Sequence, residues 1–120
     1  MSELSYEGRT VFCADVSASA TYYEKVLGLR RAFEADGDIG MTLPVVDSPE
    51  AEITLYLHHA TAPTPVDLGS FRVPDVDAFI DRYRAAGYPV VAEPADTPWG
   101  TREAIINDLD GNGLLVAASL

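Results

Sequence analysis

The chain has 120 residues, 48% hydrophobic and 22% charged, with a net charge of −11. That is the balance of a globular protein rather than a disordered one, with enough length for one domain and a real core. No run of about 18 apolar residues occurs, which argues against a membrane-spanning helix. So acidic a surface repels nucleic acid and anionic lipid, and would tolerate or attract a cationic ligand.

Residues 1–8 are acidic and lack an apolar segment, so no secretory signal is expected. The single cysteine, Cys13, has no internal disulfide partner. Both features predict a cytoplasmic protein.

A first strand is predicted over residues 10–14. A helix follows, capped by Asp15 or Ser17, with Ala18, Tyr22, Val26 and Leu27 as its apolar stripe and Gly28 as its stop. Three strands are then expected at 30–35, 40–46 and 52–59. Turns separate them at Asp36-Gly37-Asp38 and at 47–50. Residues 61–66 form a proline-stiffened linker.

Beyond the linker the pattern returns. Asp15-Val16-Ser17-Ala18 recurs as Asp75-Val76-Asp77-Ala78, Tyr23 as Tyr83, and Gly28 as Gly87 one residue early. A strand over 70–73 leads into a helix capped by Asp75. Its stripe is Val76, Phe79, Ile80, Tyr83 and Ala86, with Arg82 and Arg84 near the end and Gly87 after it. Strands at 89–93, 102–107 and 114–118 follow, broken at 94–100 and 108–113. The expected architecture is α+β: one domain of two tandem βαβββ modules, about 8–60 and 67–120. Their curved mixed sheets would enclose a cleft, because neither module buries its apolar face alone.

The word Tyr23-Glu24-Lys25-Val26-Leu27-Gly28-Leu29 and the turn Asp108-Leu109-Asp110-Gly111-Asn112, set in a paired βαβββ frame, resemble the vicinal oxygen chelate superfamily. That group includes glyoxalase I, extradiol dioxygenases, fosfomycin-modifying enzymes and bleomycin-resistance proteins. The resemblance implies four metal-ligand positions. Here they fall at Gly8, at Thr54 or Tyr56, at Leu68 and at Leu115. Three of those offer no side-chain donor, so neither a metal nor any other cofactor is expected. What remains is similar to the metal-free bleomycin-resistance branch, which implies a homodimer whose clefts are shared between chains.

Strand alternation nominates the ligand-binding residues. On the fourth strand Ile53, Leu55 and Leu57 suit the helix side, so Tyr56 and His58 would face the cleft, with Phe12 as a further wall. The adjacent pair His58 and His59 point to opposite faces and cannot share one ion. Arg72, between Phe71 and Val73, would point into the cavity toward an acceptor such as Glu103 or Glu52. Trp99 sits in a Pro/Gly loop, either as a stacking platform or as a plug on its own sheet. Arg102 would tie that loop down. Cys13 is expected to be buried and inert.

The expected function is metal-independent capture of a small hydrophobic or aromatic natural product, in antibiotic resistance or self-protection. The alternatives are a metal-free tailoring enzyme (isomerase, cyclase or lyase) and a metal enzyme with unorthodox ligands such as His58 with Glu52 or Glu103.

Overall fold

The computed structural model describes Leu4 and residues 8–43 and 53–120. The end of the expected third strand, the turn at 47–50 and Glu52 lie outside the described residues. The chain forms two compact units, Met1–Thr64 and Pro65–Leu120. Each is an α+β module of one helix and a four-stranded mixed, open sheet.

In the first unit the order is β1 (Arg9–Cys13), α1 (Val16–Leu27), β2 (Arg30–Ala35), β3 (Asp38–Thr42) and β4 (Ile53–His59). The sheet runs β1-β4-β3-β2, with β1 parallel to β4 and the other pairs antiparallel. The second unit repeats this with β5 (Asp67–Arg72), α2 (Val76–Ala85), β6 (Val90–Asp96), β7 (Thr101–Asn107) and β8 (Gly113–Ser119), in the order β5-β8-β7-β6.

Both helices start and stop by the same chemistry. Asp15 and Asp75 are extended, and their carboxylates accept from the backbone N–H groups of Ala18 and Ala78 at 3.0 Å. At the far ends the N–H groups of Leu29 and Tyr88 reach back to the carbonyls of Tyr23 and Tyr83. Gly28 and Gly87 make the reversal, at φ 69° and 95°.

The buried face of α1 differs from the expected stripe. It is Val16, Ser19, Ala20, Tyr22 and Tyr23, whereas Ala18, Val26 and Leu27 are only partly covered. The α2 face is Val76, Phe79, Ile80 and Tyr83. Four of the α1 positions, Val16, Ser19, Ala20 and Tyr23, match the α2 set one for one along the repeat. Small residues at two of them concealed that face. They pack toward Val11, Cys13, Ile39, Met41, Leu55 and Leu57, all buried. A fully buried Leu or Ile contributes about 1.5–3 kcal/mol.

Two strand boundaries move for physical reasons. Asp38 belongs to β3, because Asp36 and Gly37 alone make the hairpin turn, with φ of 52° and 86°. Strand β6 continues through Pro94 to Asp96, where a break was expected. It is an edge strand with irregular register, so the missing proline N–H costs no ladder bond.

Candidate aromatic site and its family

The face of the first sheet away from α1 carries Thr10 and Phe12 on β1, Asp38 and Gly40 on β3, and Tyr56 and His58 on β4. Alternation fixes this: Val11, Cys13, Ile39, Met41, Leu55 and Leu57 are buried on the helix side. Register brings Phe12 opposite His58 and Gly40 opposite Tyr56. The Phe12 and His58 ring centroids are 6.3 Å apart, tilted by 49°.

A fourth ring joins them from β2. The register slips between Arg31 and Phe33, which sends the two side chains to opposite faces. Arg31 bonds Glu24 and Thr21 on α1. Phe33 instead lies over Gly40, with its centroid 6.2 Å from that of Tyr56. Phe12 is 54% exposed and Phe33 41%, so the rings offer open stacking surface.

Beside them, His58 Nδ1 meets Asp38 Oδ2 at 2.9 Å, with both side chains part-exposed. Phe12, Tyr56 and His58 are thus brought together as alternation predicts. Asp38 and Phe33 were missed, the first because it reads as a turn residue and the second because a bulge is invisible to strict alternation.

The other three expected residues gather on the open face of the second sheet. Trp99 is 71% exposed and does not plug its own sheet. Its Nε1–H donates to Glu103 Oε2 at 3.1 Å, and Thr101 Oγ1 donates to the same oxygen at 2.7 Å. Arg72 is exposed and donates to Ser119 Oγ at 2.8 Å; its partner is that hydroxyl and not Glu103.

Arg102 ties the start of the expected 94–100 break through Asp96, and it also reaches α2. It holds Asp77 of α2 through Nε and Nη2, at 2.6 and 2.9 Å, and Asp96 of β6 through Nη1 at 2.9 Å. These hydrogen bonds hold the Asp77 carboxyl below the usual carboxylate range and raise the guanidinium above its own. A hollow of about 170 Å³ lies between Ser70, Ile105 and Leu115. It is smaller than the roughly 300–1,000 Å³ that ligand pockets need, so this hollow alone does not enclose a guest.

In both sheets the last strand pairs in parallel with the first and antiparallel with the third. Thr10 and Gly40 flank Tyr56 as Ser70 and Ile105 flank Leu115. By the same registers Asp38 is the counterpart of Glu103.

A family model for the Glyoxalase/Bleomycin resistance protein/Dioxygenase superfamily matches residues 8–116. The chain belongs to that superfamily. Among solved structures it resembles a superfamily member from Sphaerobacter thermophilus (20% identity, TM-score 0.77, covering 95% of this chain and 97% of that one). It also resembles a virulence protein from Salmonella typhimurium (20%, 0.76, 100% of both chains). A third is a glyoxalase-related enzyme from Clostridium phytofermentans (20%, 0.73, 98% and 97%). At such identities these likenesses show the fold alone. No functionally curated protein matches the sequence. Among the described residues no helix is long and apolar enough to cross a membrane.

The glyoxalase-like metal positions can be tested against the donors present. The repeat assigns the fourth-strand position to Tyr56, the counterpart of Leu115. Gly8 has no side chain, Leu68 is buried hydrocarbon, and Leu115 offers no lone pair. Among the described residues no three His, Cys, Asp or Glu side chains converge. The residues at these positions do not fit the superfamily's divalent ion.

Proposed function

We propose that this glyoxalase-like protein captures a small hydrophobic or aromatic natural product on the first sheet's ring face, without a metal ion. The observation that carries this reading is the set of Phe12, Phe33, Tyr56 and His58 on one open face, two of the rings far more exposed than a core aromatic. A planar guest gains both apolar burial and stacking there. In this reading the protein is a cytoplasmic homodimer whose clefts are shared between chains, serving antibiotic resistance or self-protection.

A thermal-shift screen of planar natural products tests it, because a ligand of the folded state raises apparent stability. Phe12→Ala is expected to weaken binding of the hit about fivefold, the worth of one aromatic contact near 1 kcal/mol. A hit whose affinity ignores Phe12 binds elsewhere and overturns the site.

The second reading is a metal-free tailoring enzyme, an isomerase, cyclase or lyase. The His58–Asp38 pair favours it, because an imidazole set beside a carboxylate is the commonest general base. Recovery of the guest unchanged supports capture; a new product supports the enzyme.

A further inference from the structure

We infer that His58, oriented by Asp38, makes the ring face selective for aromatic guests bearing an acidic hydroxyl, a phenol or an enol, and takes up that proton. The inference rests on the ring-face reading and adds to it the chemical class of the guest.

His58 Nδ1 lies 2.9 Å from Asp38 Oδ2, and so close a carboxylate oxygen favours the proton on Nδ1. In the neutral ring this fixes the tautomer, so Nε2 carries the lone pair. Among the described residues no protein group hydrogen-bonds Nε2, and the imidazole side chain is 40% exposed. Nε2 is therefore an acceptor within reach of a guest lying against Phe12, whose ring centroid is 6.3 Å from that of His58.

A guest hydroxyl meeting Nε2 donates to it. When the proton moves, the guest O–H bond breaks and an Nε2–H bond forms. The guest becomes an oxyanion beside an imidazolium, and Asp38 balances the ring's new charge. Among the described residues nearest the pair on this face, Thr10 and Phe12 of β1, Tyr56 of β4, Phe33 of β2 and Gly40 of β3 carry no positive charge, and Arg30 lies at the other end of β2, opposite Thr42. Selection for an ionisable hydroxyl then falls to His58. Asp38 acts through His58 and is a positioning residue.

The pair 4-nitrophenol and 4-nitrotoluene tests this with the full chain, since the two share size and shape and the phenolate absorbs visible light. Wild type should bind the phenol about tenfold more tightly than the toluene, the range of a charge-assisted hydrogen bond. Its bound probe should show the phenolate band at a pH where free probe is mostly neutral. His58→Gln should lose the preference, the ratio of the two affinities falling to about one whatever the lost ring costs both probes. Asp38→Asn should weaken the phenolate band of the bound phenol.

Equal affinity for both probes in wild type, or a preference surviving His58→Gln, overturns the inference and leaves the ring-face site standing. If neither probe binds, the ring face fails and the inference fails with it. Should His58→Gln misfold, the wild-type spectrum decides: a bound phenol that titrates like free probe overturns the inference.

Discussion

Gly40 is glycine because Phe33 fills the space a side chain would need. A Cβ there would lie 2.8 Å from both Cδ1 and Cζ of that ring. The Gly40 methyl would have to drive Phe33 off Tyr56 or bend β3. Gly40→Ala should therefore destabilise the protein by about 1–3 kcal/mol, the usual cost of overpacking. Urea unfolding measures this. Phe33→Ala in the Gly40→Ala background should recover much of the loss, and strictly additive effects would show that the ring is not the obstacle. The same neighbourhood shows how far the site is legible from sequence. Phe12, Tyr56 and His58 follow from alternation on β1 and β4, where Leu55 and Leu57 mark the other face. Asp38 does not, because Asp-Gly-Asp reads as a turn until the φ angles of Asp36 and Gly37 show a two-residue hairpin. Phe33 does not either, because one bulge reverses its face. The chemistry of the site, a carboxylate behind an imidazole and a ring over a glycine, depends on these two residues.

In each module a strand arginine is bonded to the helix. Arg31 of β2 bonds Glu24 on α1 at 3.0 Å, and Arg102 of β7 grips Asp77 on α2 through both carboxylate oxygens. The second clamp predicts a pH signature. Hydrogen bonding from Arg102 lowers the folded-state pKa of Asp77. Its stabilisation is then complete above the unfolded carboxylate value of about 4 and is lost as pH falls through the lowered folded value. Arg102→Met should be less stable than wild type at neutral pH, with the gap closing in the acid range. Urea midpoints for both proteins from pH 7 downward measure it. A gap independent of pH would mean that Arg102 acts by packing its stem. The elements themselves were largely readable: caps, stops, hairpins and the repeat all follow from residue chemistry. The α1 core face was not, because Ser19 and Ala20 give no apolar signal. Only their counterparts Phe79 and Ile80 show which side of the helix is inward.

At the scale of the whole molecule, charge and the exposed rings pull in opposite directions. Each chain carries −11, so two copies approaching one another repel. The screening length falls from about 30 Å at 0.01 M salt to about 8 Å at physiological ionic strength. Burying apolar surface between copies is non-directional and survives that screening. A dimer held mainly by apolar contact should therefore grow more populated as salt rises at fixed protein concentration, and light scattering across a salt series reads this directly. A dimer that comes apart with salt would be held by ion pairs, against the proposed character of the shared cleft. A chain that stays monomeric at every salt and concentration would remove the shared cleft altogether. The guest would then rest on one open sheet, where water reaches the Phe12 ring and the His58–Asp38 pair. Affinity would fall toward the worth of a few exposed ring contacts, each about 0.5–1.5 kcal/mol. Assembly and binding strength are thus linked: strong capture requires a second surface to cover the rings, and the salt series shows whether a second chain supplies it.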